Sequence, residues 1–273
     1  MKDQEHGYRA ERFLLGKSPD QALCEDRIVE CADFFAVIDG VTSKSSRRYN
    51  GKTGGCYATE VLAHAIESLD AEETALSALS KLDRAVADCY TAEEIAPVDR
   101  IQACVILYSK HRREVWSYGD CNLMINEREI LHSKKIDEVL AYLRAFVNTV
   151  YLLEGGDPET LRQEDRGREA ILPFLQKQAI FANRDHDLGY GVIDGSGIVE
   201  RFVRIYSVEK GDHVVLASDG YPRLFSSLAR AEAYLEEVLL RDPLSIGENM
   251  QTKAIRPGNV SYDDRAYLSF FAE

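Results

Sequence analysis

Carboxylates recur in this chain where apolar runs end. Phe34-Phe35-Ala36-Val37-Ile38-Asp39-Gly40 and Val214-Val215-Leu216-Ala217-Ser218-Asp219-Gly220 each read as a buried strand that delivers an aspartate and then turns on glycine. The acidic pair Glu25-Asp26 precedes the first run, and a second pair, Asp263-Asp264, stands near the C-terminus. Oxygen donors of this kind suit hard divalent cations such as Mg2+ and Mn2+. A centre for two such ions needs one bridging carboxylate and further carboxylates from separate strands. It lowers the pKa of a water and clamps a phosphoryl oxygen during in-line displacement. Glu25, Asp26, Asp39, Asp219 and Asp263 supply about the right number of ligands.

The elements that must position these groups follow from periodicity. Short strands are predicted at 12–15, 27–30 and 33–38. A helix follows on Ala58, Val61, Leu62, Ala65, Ile66 and Leu69, and a second on Leu76, Leu79, Leu82, Val86 and Cys89, ending before Pro97. Strand character returns at 101–108, 114–118 and 122–125, with Gly119-Asp120 read as a hairpin turn and Asp120 as a turn residue. A helix at 136–153 aligns Val139, Leu140, Leu143, Phe146, Val147 and Val150. The segment 159–180 is predicted helical, kinked or divided at Pro173. Strands at 200–206 and 213–217, two helices and a last strand at 265–271 complete the chain. Strands at both ends with helices between them, and no low-complexity linker, predict one α+β domain over 1–273.

Composition narrows the function. The chain has 273 residues and a formal net charge of −13, with no basic stripe, which argues against a nucleic-acid binder. Met1-Lys2-Asp3-Gln4-Glu5-His6 leads into polar sequence without an apolar signal region, and no run approaches bilayer-spanning length, so a cytoplasmic, non-membrane protein is expected. The six cysteines show neither C-x-x-C nor His-Cys ligand spacing and read as buried free thiols. Gly51-Lys52-Thr53 lacks the glycine of a P-loop five residues earlier, where Ser46 stands. Gly191-Val192-Ile193-Asp194-Gly195, set among further glycines, reads as a hairpin or flap rather than a third metal strand. The histidines lack ligand spacing, and Trp116 reads as a core or sheet-face aromatic.

The order of these segments resembles the metal-dependent type 2C (PPM) protein phosphatases, particularly compact bacterial members. The likeness is carried by Glu25-Asp26 before the Asp39-Gly40 strand, Gly54-Gly55 opening a helix, Gly119-Asp120, Gly211-Asp212 before the Ser218-Asp219-Gly220 strand, and Asp263-Asp264 before the last strand. It implies a four-layer αββα sandwich of two mainly antiparallel sheets, with two divalent cations, Mn2+ or Mg2+, at one end. Under that resemblance Asp39 bridges both ions, Gly40 lends its carbonyl, Asp219 and Asp263 complete one ion, and Glu25 and Asp26 serve the other. The implied reaction is hydrolysis of phosphoserine or phosphothreonine by a metal-bound hydroxide, on a phosphoprotein made by a Ser/Thr kinase. Asp39 and Asp219 are then the catalytic aspartates. The alternative is a non-catalytic binding or regulatory protein of the same fold.

Two departures stand out. Gln21 occupies the position where many members place a phosphate-binding arginine, and Val41 replaces the histidine that eukaryotic members use as general acid. The loop carrying Lys44, Arg47, Arg48 and Lys52 is unusually basic, and Arg47 and Arg48 are candidates for the substrate phosphate. Asp137 lies where some bacterial members place an aspartate for a third ion. Its plain reading is an acidic residue in the first turn of a helix.

Overall fold

Period-two alternation of apolar side chains divides the strands of this chain between two cores. In the computed structural model, which describes residues 10–90 and 95–273, β3 (Phe34–Gly40) turns Phe35 and Val37 one way and Phe34, Ala36 and Ile38 the other. The adjacent β4 (Ala103–Ser109) does the same with Cys104, Ile106 and Tyr108 against Ala103, Val105 and Leu107. These strands belong to a sheet ordered β2-β3-β4-β5-β8, with β2 at Asp26–Glu30, β5 at Glu114–Tyr118 and β8 at Arg204–Ser207. The second sheet is ordered β1-β10-β9-β6-β7, comprising Glu11–Leu15, Arg265–Phe271, His213–Ala217, Asn122–Ile125 and Arg128–Ile130. All pairings are antiparallel.

The faces that meet form the central core, where Val37, Ile106, Leu123, Leu216 and Phe270 are buried together. Helices α1 (Gly54–Glu67) and α2 (Ala75–Ala87) cover the outer face of the β2–β8 sheet through Leu62, Ile66, Leu79 and Leu82. Helix α6 (Leu228–Arg241) packs Ala231 on the outer face of the other sheet beside Val215 and Tyr267. The architecture is the expected four-layer αββα sandwich. Helices α3 (Lys135–Leu153), α4 (Pro158–Gln163) and α5 (Arg166–Lys177) follow β7. Ile136, Leu140, Ile171 and Leu175, from α3 and α5, join the central core. Among the described residues no helix is long and apolar enough to cross a membrane.

Several local expectations are corrected. Gly119-Asp120 is not a hairpin: β5 pairs with β4 and β8, whereas β6 pairs with β7 and β9, so the chain crosses between sheets there. Gly119 adopts φ 116°, and an added Cβ would lie 2.4 Å from the Cys104 side chain, so this crossing demands glycine. The hairpin is instead β6–β7, turning through Asn126 at φ 56°. The 159–180 segment divides at Glu164-Asp165, where Asp165 caps α5, while Pro173 is accommodated inside α5. Only one helix, α6, follows β9 among the described residues. Helix α3 buries Ile136, Leu140, Ala141, Arg144, Ala145 and Asn148, leaving Val139, Phe146 and Val150 of the anticipated apolar face exposed. The 191–195 segment is neither hairpin nor flap. Asp194 is buried, and the Asp83 carboxylate accepts backbone N–H bonds from Asp194, Gly195 and Gly197 at 3.2, 2.8 and 2.7 Å.

Candidate active site

The strand ends bring the acidic residues to one place. Asp26 and Asp39 are register partners across β2 and β3, and Asp39 faces Cys104 on β4. Asp219 follows β9 and Asp263-Asp264 immediately precede β10, the two strands being paired. Both Asp-Gly glycines are required by close approach. A Cβ on Gly40 would lie 2.5 Å from the Glu25 carbonyl oxygen, and one on Gly220 would lie 2.1 Å from the Asp264 carbonyl oxygen. Thr53 caps α1 by accepting from the Cys56 N–H and donates its hydroxyl to Glu25 Oε1 at 2.7 Å.

These elements surround a cavity of about 320 Å³ whose lining includes Asp39, Gly40, Asp120, Asp137, Asp219 and Asp263. Lys44, Lys134 and Lys253 line it too. Asp26 and Asp120 are almost wholly buried, and Asp26 Oδ2 and Asp120 Oδ1 have no hydrogen-bond partner. Burial pushes the Asp26, Asp39 and Asp219 carboxyls well above the ordinary range, and neighbouring carboxylates push them further: Asp264 and Asp263 on Asp26, Asp26 and Asp120 on Asp39, Asp39 and Asp263 on Asp219.

Three ammonium groups answer part of this charge. Lys17 Nζ lies 3.1 Å from Asp263 Oδ1, 3.0 Å from Asp264 Oδ2 and 3.4 Å from Glu25 Oε2. Lys253 Nζ lies 2.5 Å from Asp263 Oδ2, and Lys134 Nζ lies 2.7 Å from Asp120 Oδ2. Burial alone would raise Asp263 and Asp120; Lys253 and Lys17 pull the first below its ordinary value, and Lys134 does the same to the second. Among the described residues no group of three or more His, Cys, Asp or Glu side chains is gathered closely enough to hold a metal ion as it stands. The donor chemistry nonetheless fits a divalent cation: buried, unpartnered carboxylate oxygens that repel one another are relieved by positive charge. Asp26 and Asp120 carry such an oxygen, and Asp39 and Asp219, partly buried, are raised by burial and by the carboxylates around them, with no paired ammonium among the described residues.

The remaining candidates divide. Arg47 and Arg48 are exposed and absent from the cavity lining, Arg47 standing 5.4 Å over the Tyr49 ring. From the same loop it is Lys44 that reaches the cavity. Asp137, half-buried, faces it from the first turn of α3 and accepts a bond from Gln178 Nε2 at 3.2 Å. Gln21 does not face the carboxylates. Its side chain accepts from the Gly16 N–H at 2.8 Å and donates to the Ser18 carbonyl at 2.7 Å, shaping the loop that carries Lys17. His132 lines the cavity with its ring nitrogens occupied by the Cys121 carbonyl and the Tyr206 hydroxyl. Sequence reasoning missed Lys17, Lys134 and Lys253, and took Asp120 for a turn residue. The one local signal was the aspartate of Gly119-Asp120 following a strand.

No family model matches the chain, and no curated protein matches it in sequence. Solved structures do match in fold. The serine/threonine phosphatase Stp1 from Staphylococcus aureus is 13% identical, with 100% of this chain and 98% of that chain covered and a TM-score of 0.52. A bacterial serine phosphatase is 12% identical, with 98% of each chain covered and a TM-score of 0.51. The two sheets, their flanking helices and the acidic end of the sandwich thus belong to a chain whose fold is that of the metal-dependent type 2C (PPM) protein phosphatases.

Proposed function

We propose that this chain is a metal-dependent phosphomonoester hydrolase that acts, as one domain, on phosphoserine or phosphothreonine in proteins. The observation that carries the reading is the convergence of Asp39 and Asp219 beside lysines in one cavity of a phosphatase fold, with Asp26 paired to Asp39 on the next strand and keeping a buried oxygen without a partner. Asp39 and Asp219, with Asp26 and Asp263, would hold the divalent cations, Mn2+ or Mg2+, and Gly40 lines the same cavity. Bound there, such ions supply a nucleophile at neutral pH and offset the charge gathering on the phosphoryl oxygens.

The chain's own residues account for phosphate recognition. Lys44 and Lys253 line the cavity and bring nitrogen donors to a phosphate dianion, Lys253 while paired with Asp263. The wall from Asn249 to Lys253 adds the polar side chains of Asn249, Gln251 and Thr252 beside Met250. Such a substrate is the product of a Ser/Thr kinase. The six cysteines are all free thiols, which supports work in a reducing compartment such as the cytoplasm.

The test is hydrolysis of an aryl phosphate and of a phosphothreonine peptide with Mn2+, Mg2+ or chelator. Turnover should require a divalent ion and fall by at least about 100-fold in Asp39→Asn. Activity that survives chelator, or survives Asp39→Asn, overturns the proposal.

A further inference from the structure

The carboxylates of the site are not equally satisfied. Glu25 accepts the hydroxyls of Thr53 and Thr42 on Oε1 and Oε2, at 2.7 and 2.6 Å, and Lys17 adds its ammonium on Oε2. Asp263 has an ammonium on each oxygen, Lys17 on Oδ1 and Lys253 on Oδ2. Asp264 accepts the Lys17 backbone N–H at 2.7 Å on Oδ1. On Oδ2 it accepts the Glu25 backbone N–H at 3.1 Å and the Lys17 ammonium at 3.0 Å. By contrast, Asp26 and Asp120, both more than nine-tenths buried, each keep an oxygen with no partner. Asp120 still has the Lys134 ammonium on Oδ2 at 2.7 Å, so lysines neutralise Glu25, Asp263, Asp264 and Asp120, whereas among the described residues no ammonium is paired with Asp26, Asp39 or Asp219.

Lys17 is built into its position rather than draped over it. Its ammonium meets three carboxylates and the Thr42 hydroxyl, its own N–H is tied to Asp264, and the loop before it is held at Gly16 by Gln21. An ammonium so placed and a divalent ion on the same carboxylates exclude one another sterically and electrostatically. We propose that Lys17 is a tethered cation occupying one of the two ion positions of the centre, so that divalent ions enter in two unequal steps: the first on Asp26, Asp39 and Asp219, the second only by displacing Lys17 from Glu25 and Asp263. This rests on the metal-dependent reading of the site. It gives the metal requirement a built-in order, and frees a lysine beside the centre only when the second ion arrives.

The experiment is Mn2+ binding to the metal-free full chain, followed by calorimetry and by the loss of free-ion electron paramagnetic signal, in the parent protein, Lys17→Met and Lys17→Arg. The parent should bind one ion at least about tenfold more tightly than any second. Lys17→Met should tighten the second step by about tenfold or more, whereas Lys17→Arg, which keeps the charge, should resemble the parent. Two equal sites in the parent, or a second step unchanged in Lys17→Met, overturn the proposal while leaving the hydrolase reading standing. No bound ion in any of the three proteins sinks the metal reading itself. If Lys17→Met does not fold, the parent isotherm alone decides, because two equal sites are incompatible with a tethered competitor.

Discussion

Lys44 comes from the loop whose basic content marks it in the sequence, yet it reaches the cavity where Arg47 and Arg48 do not. Burial pushes its ammonium down to about 7, and Lys253 and Arg168 add repulsion. Between that value and the ordinary 10.5 the unfolded chain binds more protons than the native one, so this group makes stability rise with pH across the window. Below about 7 both states are protonated and its full cost is present. Lys44→Met should therefore stabilise the protein near pH 6.5, by on the order of 2 kcal/mol in urea titration, with the gain shrinking toward pH 10. A gain independent of pH would mean that Lys44 is as well solvated as any surface lysine. The carboxylates were legible in the sequence because an aspartate closing an apolar run is a local pattern. The cations were not: Lys17, Lys134 and Lys253 sit on unrelated segments, and a single lysine in a polar stretch carries no mark of the carboxylate it will meet.

At the scale of elements, the cavity wall from Asn249 to Lys253 has no helix or strand of its own and hangs on two arginines. Arg144, fully buried on α3, donates to the carbonyls of Leu244, Ser245 and Gln251 at 2.8, 2.8 and 3.0 Å, and pairs with Asp165 at the head of α5. Arg168 on α5 donates to the Thr252 carbonyl at 2.9 Å. Arg144→Leu leaves the Asp165 carboxylate and three carbonyls short of a donor. It should cost about 3–5 kcal/mol in denaturant unfolding and raise amide exchange in 244–252 before the sheets respond. Uniform exchange with unchanged stability would mean that the wall is held by something else. The strands of the two sheets were readable from alternation, because each is buried on a defined face. Which sheet a strand joins was not: Gly119-Asp120 has the chemistry of a turn, and only the non-local pairing of β6 with β9 makes it a crossing. Helix α3 misled for a related reason. Half of its apolar stripe, Val139, Phe146 and Val150, is exposed, while Arg144 is buried by its bonds to the 244–251 loop and Asn148 by its bonds to the head of α5.

For the molecule as a whole, a fold that gathers this many carboxylates at one end of its sandwich stores repulsion there, and the chain's net charge of −13 offers no general relief. Asp26, Asp39 and Asp219 have native values raised above 3.8, so from there upward the native state binds more protons than the unfolded one, and these groups lower stability as pH rises. Asp120 and Asp263, held down by lysines, act in the opposite sense at lower pH and retain their contribution at neutrality. A divalent ion reverses the first effect, since it binds the ionised carboxylates and must displace their protons. At a hundredfold excess over its dissociation constant, Mn2+ should contribute about 2.7 kcal/mol, or roughly 5–10 °C in Tm for a chain of this length. The increment should be larger at pH 8 than at pH 5. Melting curves with Mn2+ and with chelator at the two pH values measure it directly. An equal increment at both would mean that the ion displaces no protons from these carboxylates, and none at either would mean that the acidic end is balanced by its lysines alone.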